Sequence, residues 1–187
     1  MPRTARAVRP GGVYHVLNRG NGRADLFHKP ADFDAFLRVL AEALARSPVD
    51  LFAWCLMTNH WHLVLRPRPV AGRDGIGNVA HDATGDTATP DHNGADRCID
   101  SETNDCDTGN ALRLMGWVGV THVRRHHEHY HTRGGGHLYQ GRFKSFPVQD
   151  DPHFLTVCRY VESNPLRAGI VRRAEDWPFR ASAGRRV

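Results

Sequence analysis

Val49-Asp50-Leu51-Phe52-Ala53-Trp54-Cys55-Leu56-Met57-Thr58-Asn59-His60-Trp61-His62-Leu63-Val64-Leu65-Arg66 holds two extended runs around a short turn. The first run, Val49–Met57, is almost wholly apolar, as a strand covered on both faces would be. The second, His60–Arg66, alternates. Side chains on a strand point to opposite faces in turn, so Trp61, Leu63 and Leu65 share one face and His60, His62 and Val64 the other. Asn59 supplies the turn, and the two runs predict an antiparallel hairpin. The seven residues Leu51–Met57 form the longest unbroken apolar run in the chain, far short of the ~18 that would suggest a membrane span.

Working outward, Gly12–Asn18 reads as a strand followed by a Gly/Asn turn at Arg19–Arg23. Phe33, Phe36, Leu37, Leu40 and Leu44 recur at helical spacing and predict a helix near 31–46, ended by Ser47-Pro48. Ala111 to about Tyr130 is expected to be helical, weakened by Gly116 and Gly119. Arg142–Val148 reads as a strand whose Pro147 argues for an edge. Asp151 is an N-cap candidate with Pro152 at the first helical position, and that helix is expected to run to Asn164, where Pro165 closes it. The order β-α-β-β-α-β-α predicts an α+β fold, an antiparallel sheet with helices packed on it, of ferredoxin-like or RNA-recognition-like type.

The chain of 187 residues is 40% hydrophobic and 24% charged, enough apolar content for one domain with a buried core. Ala71–Gly109 stands apart: it holds nine acids against two bases, a formal −7 that leaves +12 on the rest of a chain of net +5. Poor in large apolar residues and without a period, residues 70–109 read as a disordered acidic insertion within that domain. All but Lys29 and Lys144 of the 25 basic residues are arginines, whose planar forks match phosphate. The basic body points to a nucleic-acid partner. The opening residues lack the apolar stretch of a secretory signal, so a cytoplasmic, nucleoid-associated protein with no membrane partner and reduced cysteines is expected.

Two imidazoles at i and i+2 on a strand, His60 and His62, have the spacing to hold one metal ion. They serve equally well as hydrogen-bonded structural histidines. In the last helix Tyr160 and Asn164 lie four apart, on one helical face, and an Asn carbonyl oxygen suits a hard cation. A buried tyrosine with a capping Asn is the plain alternative. A second histidine group, His122, His126 and His129 with His127 and His131 nearby, has helical spacing that could hold zinc. Trp117, Trp177 and Phe179 are expected in the core.

The segment Leu56-Met57-Thr58-Asn59-His60-Trp61-His62-Leu63-Val64-Leu65 resembles the His-hydrophobic-His (HUH) motif of single-tyrosine HUH transposases. Tyr139-Gln140-Gly141-Arg142-Phe143-Lys144-Ser145, the run Arg159-Tyr160-Val161-Glu162-Ser163-Asn164-Pro165-Leu166-Arg167-Ala168-Gly169-Ile170-Val171, and the opening Tyr14-His15-Val16-Leu17-Asn18-Arg19-Gly20-Asn21 resemble the REP-associated tyrosine transposase branch of that family. Together these motifs cover about residues 10–68 and 110–180, in the family's order. The resemblance implies an HUH-type domain in which His60, His62 and Asn164 bind Mg²⁺ or Mn²⁺. It also implies that Tyr160 attacks single-stranded or hairpin DNA to form a 5′-phosphotyrosine. It leaves open whether a second copy, as a homodimer, takes part. Arg19, Arg142, Lys144, Arg159 and Arg167 cluster near these motifs and are assigned to phosphate contact. Two alternatives compete with a strand transferase: a non-catalytic binder of DNA hairpins, and a zinc hydrolase built on the His122–His131 group.

Overall fold

In the computed structural model of the protein, the Val49–Arg66 segment forms the hairpin that its alternation predicts. The structure describes residues 11–68, 106–149 and 151–182. Its elements are β1 (Val13–Arg19), α1 (Pro30–Arg46), β2 (Val49–Met57), β3 (His60–Pro67), α2 (Cys106–His129), β4 (Lys144–Val148), α3 (Asp151–Glu162), a four-residue helical turn α4 (Asn164–Arg167) and β5 (Arg180–Ser182). The acidic insertion lies almost entirely outside the described residues; its last four positions, 106–109, belong to the first turn of α2.

One sheet runs in the order β4-β1-β3-β2-β5, every neighbouring pair antiparallel. The chain leaves β1 through α1, skips one place to β2, and returns along β3 into the gap. β4 is the edge that Pro147 predicts. The three-residue β5, which carries no readable pattern, closes the other edge.

The sheet separates two apolar layers. Tyr14, Val16, Trp54, Leu56, Trp61, Leu63 and Leu65 pack with Phe33, Phe36 and Leu40 of α1 and with Leu114, Met115 and Val118 of α2. On the other face Ala53, Cys55, Met57 and Val64 pack with Val161, Phe154, Val157 and Cys158 of α3. Trp61, Leu63 and Leu65 are almost fully buried, each worth roughly 1.5–3 kcal/mol. A one-residue slip of β3 would exchange its two faces, so the register is strongly specified. Phe52 sits at a bulge between Leu51 and Ala53. Trp177 and Phe179 join the first layer, Phe179 stacked on Phe33 at 4.1 Å, and Trp117 packs against it too.

Three expected boundaries shift. α2 starts at Cys106 rather than Ala111 and passes through both glycines; packing of its buried face outweighs their propensity cost. β4 starts at Lys144, leaving Arg142 in the preceding loop. Pro165 does not close a helix but opens α4, since the first turn needs no N–H from it.

Gly20 joins the end of β1 to the hairpin turn. Its N–H donates to the Asn59 carbonyl at 2.9 Å, and a Cβ there would collide with the Ala24 carbonyl oxygen. This close approach holds the last residue of β1, Arg19, opposite His60.

Candidate active site

Alternation on β3 sends His60 and His62 to the α3 face, and pairing with β1 supplies their neighbours. Arg19 lies opposite His60, Leu17 opposite His62 and His15 opposite Val64. Directly paired residues share a face, so His15 and Arg19 stand on the histidine side. The His60 and His62 rings meet edge to face with centroids 5.0 Å apart. The His15 and His62 rings lie with centroids 5.1 Å apart and planes at 21°, His15 Nε2 being 2.9 Å from His62 Nδ1. Tyr160 of α3 comes edge-on to His62 at 6.0 Å and to His15 at 6.1 Å. Tyr160 remains 39% exposed.

Burial holds the imidazoles neutral. Desolvation, with the Arg19 charge beside it, pulls His60 down to about 4. Desolvation, then His15, His60 and Arg19, pulls His62 down to about 3. Desolvation lowers His15 as well. Neutral imidazole is the form that ligates a metal. His60 Nδ1 lies 2.6 Å from Asn59 Oδ1, which only accepts, so His60 donates there and keeps a bare Nε2. Asn59 is fixed in this sense by its Nδ2–H, which donates to the Arg23 carbonyl at 3.2 Å.

The Tyr160–Asn164 relationship differs from four residues on one continuous helix. α3 ends at Glu162 and Ser163 turns the chain. Pro165 has no N–H for the Val161 carbonyl, and the Asn164 Nδ2–H reaches that oxygen instead, at 3.5 Å. Ser163 Oγ–H likewise donates to the Tyr160 carbonyl at 3.2 Å. The Asn164 amide is therefore turned nitrogen-inward, and its Oδ1 has no hydrogen-bond partner among the described residues. The bare Nε2 of His60, the neutral ring of His62 and the unengaged amide oxygen of Asn164 are donors of the kinds that divalent cations take. Among the described residues, His15, His60 and His62 do not by themselves form a metal-holding group.

The five basic residues divide. Arg19 flanks His60, and the Arg167 guanidinium lies over the Tyr160 ring. Lys144 pairs with Leu17 and so shares the sheet face of His15. Arg159 is exposed on α3 beside Tyr160. Arg142 is not part of this group. It lines a groove of about 550 Å³ with Asn18, Trp61, Met115 and Gly119, on the α1/α2 side of the sheet.

Two residues escaped the sequence reading. His15 meets His62 and Tyr160; it stands inside the Tyr14–Asn21 motif, but nothing there singles it out from its neighbours. Phe146 of β4 lies opposite His15, 6.4 Å away and 49% exposed; an aromatic on an exposed edge strand was the available signal.

Three rings of the second histidine group are engaged in hydrogen bonds. His122 is buried with Nδ1 2.7 Å from the Tyr139 hydroxyl, His129 Nε2 meets Lys29 Nζ at 2.8 Å, and His127 Nδ1 meets Thr132 Oγ1 at 2.8 Å. Among the described residues no three His, Cys, Asp or Glu are placed to hold a metal. Both ring nitrogens of His126, by contrast, are buried without a hydrogen-bond partner, and with no such group around it the zinc-hydrolase alternative gains no support from the described residues. Also among the described residues, no helix is long and apolar enough to cross a membrane.

No family model matches the chain, and no curated protein matches it by sequence. Solved structures do. The fold is similar to that of a REP-associated tyrosine transposase bound to a REP hairpin, with a TM-score of 0.58 at 15% identity over 96% of this chain and 82% of that one. A crystal structure of a candidate transposase from Deinococcus radiodurans R1 aligns at 14% identity over 87% of this chain and 97% of that one, with a TM-score of 0.43. At these identities the likeness is one of fold: this chain has the α+β architecture of a REP-associated tyrosine transposase.

Proposed function

We propose that the protein cuts and rejoins single-stranded or hairpin DNA through a covalent bond to Tyr160, with Mg²⁺ or Mn²⁺ held by His60, His62 and Asn164. The observation that carries this reading is the exposed Tyr160 phenol set edge-on against His62, beside a second neutral histidine and under Arg167. A phenol is a weak nucleophile at neutral pH and needs such a setting. A divalent cation bound there would supply a Lewis acid for a non-bridging phosphate oxygen.

The chain's own groups do the rest. Arg19, Arg167, Lys144 and Arg159 bind the DNA backbone, and Phe146 offers a face on which a base can stack. Tyr160 Oη forms the bond to phosphorus as the bond from phosphorus to the 3′ oxygen breaks. The phenol proton passes to solvent, and solvent returns one to the 3′ oxygen. The DNA stays on Tyr160 by its 5′-phosphate, and attack by another 3′-hydroxyl reverses the step. The diester energy is conserved throughout, so no nucleoside triphosphate is required.

Incubation with a labelled single-stranded hairpin and Mg²⁺, followed by a denaturing gel, tests the reading. A slow-migrating covalent adduct is expected from the wild type, and none from Tyr160→Phe or in the presence of EDTA. An adduct that persists in Tyr160→Phe would refute the nucleophile. DNA binding with no adduct at all would leave the non-catalytic hairpin binder.

A further inference from the structure

We infer that His15 is a positioning residue whose Nε2 accepts the Nδ1 proton of His62 and thereby presents the bare Nε2 of His62 to the metal site. The inference rests on the metal-dependent reading above.

The argument starts from the 2.9 Å contact between the two ring nitrogens. A hydrogen bond between imidazoles needs one protonated and one bare nitrogen. If His15 donated, neutral His62 would carry its single proton at Nε2, and no lone pair would be left there for a cation. If His62 donates, its Nε2 is bare. Only the second arrangement allows His62 to act as a ligand. Metal-ligating histidines generally give their other N–H to a fixed partner, which sets tautomer and ring orientation. His60 shows the same device in an unambiguous form, because Asn59 Oδ1 can only accept. Asn59 and His15 are thus equivalent supports for the two halves of the pair. The ring planes are 21° apart with centroids at 5.1 Å, the side-by-side arrangement that an in-plane N–H···N hydrogen bond requires. His15 touches Tyr160 only edge-on at 6.1 Å, which suits support of the ligand better than proton transfer with the nucleophile.

His15→Gln keeps an acceptor oxygen at similar reach, and His15→Leu removes it. Nitrogen-15 NMR of the metal-free protein reads the His62 tautomer directly, and Mn²⁺ titration followed by electron paramagnetic resonance reads affinity. The wild type and His15→Gln should show His62 protonated at Nδ1 and bind Mn²⁺ similarly. His15→Leu should shift His62 toward the Nε2–H form and weaken Mn²⁺ binding by about 10–100-fold. His62 protonated at Nε2 in the metal-free wild type would overturn the inference, whether or not His15→Leu folds. Equal Mn²⁺ affinity in folded His15→Leu would overturn it too, while leaving the metal reading intact. A wild type that takes up no Mn²⁺ would sink the metal reading itself and this inference with it.

Discussion

Arg167 holds its guanidinium 5.4 Å from the centre of the Tyr160 ring. The two residues are seven apart and belong to different helical segments. The turn at Ser163 and the Pro165-led start of α4 bring them together. The cation therefore lies over the side chain proposed to take the phosphate.

Arg167→Ala should leave the fold unchanged and slow adduct formation by at least about tenfold, as loss of a charge placed at the transferring group does. Arg167→Lys should recover part of this, since a point charge replaces a fork. Single-turnover gel assays at saturating DNA separate this from weaker binding. Equal rates in the wild type and the Ala variant would remove Arg167 from the reacting centre.

The proposed ligands should rank in order. His60→Ala or His62→Ala should abolish cleavage and lower Mn²⁺ affinity by an order of magnitude or more. Asn164→Ala should cost less, because water can replace a neutral oxygen. Calorimetric Mn²⁺ titrations give the ranking. An Asn164→Ala loss equal to the histidine losses would mean that Asn164 also holds the α3–α4 turn through Val161.

Tyr139 predicts a stability defect without a chemical one. Its hydroxyl accepts from Trp61 Nε1–H at 3.1 Å and is hydrogen-bonded to His122 Nδ1 at 2.7 Å. Tyr139→Phe leaves both buried partners unpaired, at a cost of about 1–3 kcal/mol. This network lies on the α1/α2 side of the sheet, so cleavage at low temperature should be unaffected. Urea denaturation and the adduct assay, run together, check both halves.

The pH dependence of stability follows from the buried rings. Burial lowers His15, pulls His60 to about 4 and pulls His62 and His122 to about 3. Unfolded histidines protonate near the ordinary value of about 6.5. Between that value and the folded ones the unfolded chain binds more protons, so stability rises with pH across the window. The full contribution is present above about pH 6.5 and is lost as pH falls toward 4 and then 3. Urea midpoints at pH 7.5, 5.5 and 4.5 should fall in that order, and a midpoint that does not move would show that these rings are not held neutral.

Charge should be read unevenly by DNA. Single-strand binding is expected to weaken with salt at a slope of about −0.7 per phosphate contacted. Arg19→Ala and Lys144→Ala, on the histidine face, should each reduce the slope by about that amount. Arg142→Ala, on the far side of the sheet, should not. An equal loss at Arg142 would place DNA in the groove behind the sheet as well.

Much of this molecule is legible in short-range patterns. Alternation on His60–Arg66 separates the Trp61 face from the His60–His62 face. The Phe33–Leu44 spacing marks α1, and Pro147 marks an edge. These signals survive because a two-sided strand or a one-sided helix repeats its environment every two or 3.6 residues, whatever it packs against. The Tyr160 phenol and the strand histidines likewise stand in motifs whose resemblance to a family is visible without coordinates.

What a period cannot carry is the relation between distant elements. His15 is one imidazole on a half-exposed strand, and only the β1–β3 register sets it against His62. Asn164 looks like a fourth residue on a helical face, until the missing Pro165 N–H turns its amide toward Val161. Arg142 is two residues from Lys144, yet it lies outside β4, in the loop that faces the other layer. By itself the sequence determined most of the strands and helices and the residue types proposed for metal and nucleophile; tertiary structure alone decided which side chains share a face, because pairing register and chain turns are set by packing across the whole sheet rather than by neighbours in the chain.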